Sequence, residues 1–231
     1  MADWAIWMAG HVTVPLYPSL RGDTVSKILG HTESKLLFVG KSDEDLWKDM
    51  VQGVPDNLPM LMFPLCPKNV RGERGDDVVK DQVQIAEPAD RKPDNLATII
   101  YISGSTGRPK GVMHSFKTMF DATSGLVRHI GSNDRDRYLS YLPMSHGIER
   151  WFAEFQSMYM GMELFFADTL KTFVIDLNRA RPTLFISVPR LWTKFQQGVS
   201  KNMPLSKLGI LLSIPIVSTL FKKRVLKGLG L

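Results

Sequence analysis

Tyr101-Ile102-Ser103-Gly104-Ser105-Thr106-Gly107-Arg108-Pro109-Lys110-Gly111 decides how the rest of this 231-residue chain is read. An apolar run at 97–102 feeds directly into a loop of glycines and hydroxyls that ends on one lysine. Glycine tolerates positive φ, so Gly104, Gly107 and Gly111 let the backbone bend. Backbone N–H groups, three hydroxyls and an ammonium in this order suit a polyphosphate. The loop is not a Walker loop, which needs Gly, four residues, Gly-Lys and then Ser or Thr. Pro109 separates Arg108 from Lys110, and Gly111 follows the lysine. Proline removes an N–H and drives the residue before it toward an extended conformation, so no helix is expected to open there. The plainer alternative is a glycine-rich hairpin turn.

Outward from the loop, short apolar runs alternate with helical periods. Segments 12–16, 36–39, 60–63, 97–102, 164–167 and 184–188 read as strands. The runs are continuous, as expected for strands covered on both faces. Ile148, Trp151, Phe152, Phe155 and Tyr159 fall at helical spacing, as do Val188, Leu191, Trp192, Phe195 and Val199. Alternation of strand and helix predicts an α/β fold of packed, mostly parallel sheets with flanking helices. The aromatic stripes are read as core ahead of acyl-binding surface. Residues 65–95 are polar and rich in Gly, Pro and charge, and join two sublobes at 1–95 and 96–231. A connection of that length is expected to hold a short element of its own.

Composition narrows the function classes. At 44% hydrophobic residues the chain can bury a sizeable core. Cys66 stands alone, which excludes an internal disulfide, and no Cys/His cluster has zinc spacing. Met1-Ala2-Asp3-Trp4-Ala5 lacks the basic region of a secretory signal, so a cytoplasmic location is expected. The formal charge of +6 sits entirely in the tail: 201–231 holds Lys201, Lys207, Lys222, Lys223, Arg224 and Lys227 with no acid, leaving 23 basic against 23 acidic residues elsewhere. A nucleic-acid binder would spread its charge over a broad face, so no nucleic-acid partner is expected. Segment 208–221 is mostly apolar, broken by Pro215, and shorter than the roughly 20 residues of a membrane span. With Lys222-Lys223-Arg224 next to it, it suits peripheral contact with an anionic membrane. An ordinary helix pair with a solvated basic face is the alternative.

The eleven-residue segment at 101–111 resembles the phosphate loop of the AMP-forming adenylating enzymes, with Ile102 where a threonine is common. Tyr141-Leu142-Pro143-Met144-Ser145-His146-Gly147-Ile148-Glu149-Arg150 resembles a segment of the long-chain acyl-CoA synthetase branch. Arg181-Pro182-Thr183 with Ser187-Val188-Pro189-Arg190-Leu191-Trp192 is similar to a second, and Trp7 to Gly10 with Val14-Pro15-Leu16-Tyr17-Pro18 to a third. The resemblance implies part of the large N-terminal, AMP-binding domain over 1–231, with the small C-terminal domain absent. Motifs expected further on are missing, so the chain reads as an internal fragment that does not make acyl-CoA by itself.

What the resemblance implies chemically is a two-step ligase using ATP, Mg²⁺, a long-chain fatty acid and coenzyme A. Ser103, Gly104, Ser105, Thr106, Gly107 and Gly111 would wrap the phosphates, with Lys110 as a point charge and Thr106 reaching Mg²⁺ or its water. His146 is expected on a loop at a strand end, near the acyl carboxylate or the α-phosphate, with Glu149 and Trp151 as further substrate contacts. Arg150, at the dipole-opposed start of a helix, is expected to pair with an acid or a phosphate. Arg190 is read as a brace. His11, His31, His114 and His129 have no partners at suggestive spacing. Two alternatives stay open: an adenylating ligase for another carboxylic acid, and a non-catalytic binder of nucleotide or membrane.

Overall fold

The runs at 36–39 and 60–63 become β1 (Leu37–Val39) and β2 (Met60–Met62), which pair in parallel with Leu37 opposite Met60. The computed structural model describes residues 2–80, 82–83, 87–102, 108–169, 171–202, 207, 209 and 213–229. They form two compact units, one of Met1–Ala122 with Pro143–Arg150, the other of Thr123–Leu142 with Trp151–Leu231.

In the first unit, α1 (Ala2–Met8) and α2 (Gly22–His31) precede β1, and α3 (Glu44–Met50) separates β1 from β2. Asp43 starts α3 by accepting hydrogen bonds from the N–H groups of Asp45 and Leu46, satisfying donors the helix cannot. The polar stretch 65–95 holds two short elements, β3 (Glu73–Arg74), parallel to β2, and α4 (Gly75–Lys80). Val25, Leu29, Val39, Trp47, Met50, Val54, Leu58 and Met60 form the core beneath this sheet. The 3₁₀ turn Val51–Gly53 meets α2 backbone to backbone: a Cβ on Gly53 would lie 1.8 Å from the Gly22 carbonyl oxygen.

β4 (Leu96–Ile102) and β5 (Lys110–Ser115) pair antiparallel, the one such pair among the described strands. Residues 12–16 make no strand. Thr13 alone bridges Thr98, because Pro15 has no N–H to extend a ladder. The segment is docked all the same: Trp7 Nε1 donates to Ala97 O at 2.8 Å, Thr98 Oγ1 to Thr13 O at 3.1 Å, and Arg91 to the carbonyls of Gly10, His11 and Leu96.

The division between units falls within α5 (Phe116–Ile130). In the second unit, β6 (Arg137–Ser140) pairs in parallel with β7 (Glu163–Phe166), the latter one residue earlier than its apolar run. The run at 184–188 contributes only the bridge Leu184 to Tyr138 before Pro189 opens α9 (Pro189–Asn202). α8 (Phe173–Ala180) and α9 supply Phe173, Leu177, Ala180 and Leu191 to the core around Leu139. α10 (Pro215–Leu229) ends the described chain, with Asn178 donating to Gly228 O.

Between β6 and β7 the chain passes through α6 (Gly147–Glu149), a π-helical stretch Arg150–Gln156 and α7 (Ser157–Met160). π winding puts one more residue in each turn, which breaks the α-helical stripe drawn from Ile148 to Tyr159. Phe152 is buried and stacks on Tyr138 at 5.9 Å, but Ile148 and Tyr159 face solvent. In α9 the stripe holds at Leu191 and fails at Trp192, which is 46% exposed.

Candidate active site

The antiparallel pairing of β4 and β5 puts Ile102 opposite Lys110, so the strands close the phosphate-loop segment at its two ends. Lys110 is exposed at the first position of β5, and no helix opens there, as Pro109 dictates. Ser103, Gly104, Ser105, Thr106 and Gly107 lie outside the described residues. Gly111 is a glycine for a different reason from the one the sequence suggested. It is not among the positive-φ glycines; a Cβ there would come 2.7 Å from Ile99 Cγ2 and 3.2 Å from Tyr101 Cζ. Space, not backbone freedom, excludes a side chain.

His146 sits between β6 and α6, at the residue that precedes the first helical turn, with extended backbone (φ −80, ψ 125). Its N–H donates to Pro143 O at 2.8 Å, and its carbonyl accepts from Arg150 N at 3.2 Å. These bonds fold Pro143–Arg150 into a compact turn. The ring meets Tyr17 edge to face, centroids 6.4 Å apart. Burial raises the Tyr17 phenol above its ordinary range, so it stays protonated. His146 Nδ1 and the neighbouring Ser145 Oγ are both buried with no hydrogen-bond partner among the described residues. An unsatisfied buried polar atom costs about 1–3 kcal/mol, and such orphans collect where a ligand supplies the partner.

The turn is carried by the first unit. Arg150 is 2% exposed and pairs through Nη2 with Asp3 Oδ1 at 2.7 Å, so its partner is an acid. α1, which bears Asp3, is tied by Trp7 to Ala97 on β4, the strand that leads into the phosphate loop. Glu149 is fully buried beside Arg150. Trp151 is half-buried and opens the second unit. Trp192 and Phe195 meet each other and, with Phe173 and Phe185, form an aromatic cluster. The cavity at the carboxyl ends of β6 and β7, lined by Tyr141, Ala167, Asp168, Thr169 and Phe173, holds about 180 Å³. That is below the roughly 300 Å³ at which ligand pockets begin.

Sequence reading missed Asp3, Tyr17 and His31. Tyr17 lay within a segment already singled out. Asp3 carried no signal beyond Arg150's need of an acid. His31, set aside for want of a partner, hydrogen-bonds through Nδ1 with the Tyr101 hydroxyl, 70 positions away. Lys222, Lys223 and Arg224 are exposed on α10, and among the described residues no helix is long and apolar enough to cross a membrane.

Known proteins match most of this chain. The AMP-binding enzyme family matches residues 1–218. Long chain acyl-CoA synthetase 5 of Arabidopsis thaliana is 26% identical over 225 residues, covering 87% of this chain and 33% of that protein. The long-chain-fatty-acid–CoA ligase ACSBG2 of Rattus norvegicus is 37% identical over 219 residues, covering 85% of this chain and 32% of its own. The chain thus spans about a third of the length of these relatives. The fold is shared with o-succinylbenzoate CoA synthetase of Bacillus subtilis in complex with an acyl-adenylate intermediate (TM-score 0.63, 21% identity, 85% of this chain and 47% of that one). VinN in complex with L-aspartate shares it too (TM-score 0.65, 21% identity, 85% and 48%). On the family match over most of its length, the chain belongs to the AMP-binding enzymes and has long-chain acyl-CoA synthetases among its relatives.

Proposed function

We propose that this chain is the phosphate-binding part of a cytoplasmic ligase that activates a long-chain fatty acid with ATP and passes the acyl group to coenzyme A. The single observation that carries the reading is that Pro143–Arg150 leaves its sequence neighbours and joins the compact unit that holds the β4–β5 hairpin. Lys110 and the orphaned Nδ1 of His146 thereby belong to one body. The relatives named for long-chain acids support fatty acid over other carboxylates.

In the first step a carboxylate oxygen attacks the α-phosphorus of ATP. The acyl–O–P bond forms, the Pα–O–Pβ bond breaks and pyrophosphate leaves. Two anions must meet, so oriented donors and a cation are needed where charge builds up. Ser103, Gly104, Ser105, Thr106 and Gly107 offer the loop, Gly111 follows it on β5 as the remaining residue assigned to the nucleotide, and Lys110 neutralises the departing phosphates. His146, with Ser145, donates to the carboxylate or the α-phosphate. Glu149 and Trp151 are each read as further contacts of the acyl substrate. Thr106 is the residue that would hold Mg²⁺ or its water once the metal is bound with the triphosphate. The metal would supply charge neutralisation of the leaving group. In the second step the thiolate of coenzyme A attacks the acyl carbon, the C–S bond forms, and the C–O bond to AMP breaks.

The test is ATP-dependent pyrophosphate release by the full-length protein over a panel of carboxylic acids. Long-chain acids are expected to give the greatest release, with Lys110→Ala lowering kcat/KM about 10²–10³-fold, the range for loss of one charge-stabilising group. Greatest release with a short or aromatic acid overturns the substrate assignment, and an unchanged Lys110→Ala overturns the phosphate assignment. Peripheral membrane contact is a second reading, favoured by exposed Leu220 and Leu226 interspersed with Lys222, Lys223 and Arg224. Co-flotation with anionic vesicles, abolished by high salt, is its expected sign.

A further inference from the structure

Tyr101 is the last inward-facing residue of β4 before the phosphate loop, and its ring is held from two sides. On one side lies Gly111, its partner across the hairpin, whose missing side chain leaves room for the ring: a Cβ there would meet Tyr101 Cζ at 3.2 Å. On the other side is His31, edge-on at 6.0 Å between ring centroids and hydrogen-bonded through Nδ1 to the Tyr101 hydroxyl. His31 is the last residue of α2, a helix fixed by the buried side chains of Val25, Ile28 and Leu29 and by the backbone contact of Gly22 with Gly53. The anchor is therefore rigid at its base although the imidazole itself reaches solvent. Tyr101 is 6% exposed, and Lys110 is the residue next to Gly111 on β5.

We propose that His31 is a positioning residue for Lys110: it clasps Tyr101 against Gly111 and so fixes where β5 begins and where the Lys110 ammonium stands. The inference rests on the phosphate assignment of the preceding subsection. A lysine that grips the terminal phosphates of ATP does so only from the right place; outright misplacement by about 1 Å can cost on the order of 10²-fold, and a strand that only loosens is expected to cost about tenfold in the hold on ATP. Lys110 itself is exposed, so its aim depends on the strand that carries it. Tyr101 stiffens that strand from beneath, across from Gly111, and its phenol stays protonated because burial raises it above its ordinary range. A protonated phenol and an imidazole remain hydrogen-bonded whichever ring nitrogen carries the proton, since each group both donates and accepts. The clasp also explains why tyrosine and glycine stand opposite each other here: a smaller residue at 101 would not reach α2, and a larger one at 111 would expel the ring.

The experiment compares His31→Ala, Tyr101→Phe, their double variant and His31→Asn in the full-length protein. Asparagine places an amide atom close to where Nδ1 stands. Expected are an ATP KM raised about tenfold in each single variant, a double variant no worse than either, a fatty-acid KM within about twofold of wild type, and recovery to within about threefold in His31→Asn. These sizes follow from losing one positioning contact. Equal rises in both KM values, or none, overturn the clasp. Hydrogen exchange gives a readout independent of turnover: backbone amides at 110–112 are expected to exchange faster in His31→Ala and Tyr101→Phe, with amides in α3 unchanged. Unchanged exchange at 110–112 overturns the clasp even if activity falls. A wild-type protein that releases no pyrophosphate overturns the parent assignment instead, and the exchange result then decides the clasp alone.

Discussion

Arg150 Nη2 stands 2.7 Å from Asp3 Oδ1, joining residues 147 positions apart through a guanidinium that is 2% exposed. A cation so deeply buried is tolerable only with its partners in place, and removing one costs about 3–5 kcal/mol. Asp3→Ala is therefore expected to destabilise the protein by about 3 kcal/mol, the low end because the Asp3 carboxylate keeps partial exposure. Asp3→Asn, which retains an acceptor oxygen, is expected to lose less. A shift in the urea midpoint at constant slope is the measurement, and a shift below that of an ordinary surface substitution would show the pair to be incidental.

His146 gives the opposite trade. Replacing it with phenylalanine keeps a ring against Tyr17 and removes the buried Nδ1 that no described residue satisfies. His146→Phe is expected to gain about 1 kcal/mol of stability and to lose about 10²-fold in fatty-acid activation. Thermal unfolding and pyrophosphate release on the same preparation test the pair of effects. A variant both less stable and fully active would mean that the histidine serves only the fold.

Two glycines in contact with or near one helix should respond with opposite signs. Gly30, near the end of α2, has open space where a Cβ would go, so Gly30→Ala is expected to stabilise by about 0.5–1 kcal/mol through helix propensity. At Gly53 the new Cβ would stand 1.8 Å from the Gly22 carbonyl oxygen, a backbone atom that cannot turn aside. Gly53→Ala is expected to lose about 3 kcal/mol, at the upper end of overpacking costs. Melting temperatures moving in the same direction would refute the backbone contact.

His114 on β5 is partly buried, and burial lowers its pKa below the ordinary value of 6.5. The unfolded chain then takes up a proton before the folded one does. Stability from this group is complete above about pH 6.5 and is lost as pH falls through and below that value. His114→Gln is expected to flatten the decline in melting temperature between pH 7 and pH 5. An unchanged decline would assign the acid sensitivity to other groups.

Much of this architecture was legible because particular residues leave little choice. The continuous apolar runs at 36–39, 60–63 and 97–102 have no helical period, and each forms a strand. Pro109 announced that no helix would open at Lys110. Arg150, misplaced for the helix dipole, announced an anionic partner; Asp3 was hidden because sequence distance carries no trace of spatial distance. His31 was hidden for the same reason, its partner lying on a different element. The π winding of Arg150–Gln156 left no mark on a stripe of aromatics that fits an α-helix equally well. Gly111 was rightly singled out, but its need for space appears only once Ile99 and Tyr101 face it across the hairpin.

The bond from Trp7 to Ala97 spans 90 positions, and Thr13 and Thr98 span nearly as many. During translation at about 5–20 residues per second, α1 waits on the order of 5–20 s before the strand it docks on has been made. For that interval its indole has no carbonyl to meet and its apolar side no sheet to cover. The anchor of Arg150 must wait longer still. Codon choice across the stretch between 13 and 97 therefore sets how long the nascent chain carries an undocked helix, and slowing it there should lengthen the time during which a chaperone can bind.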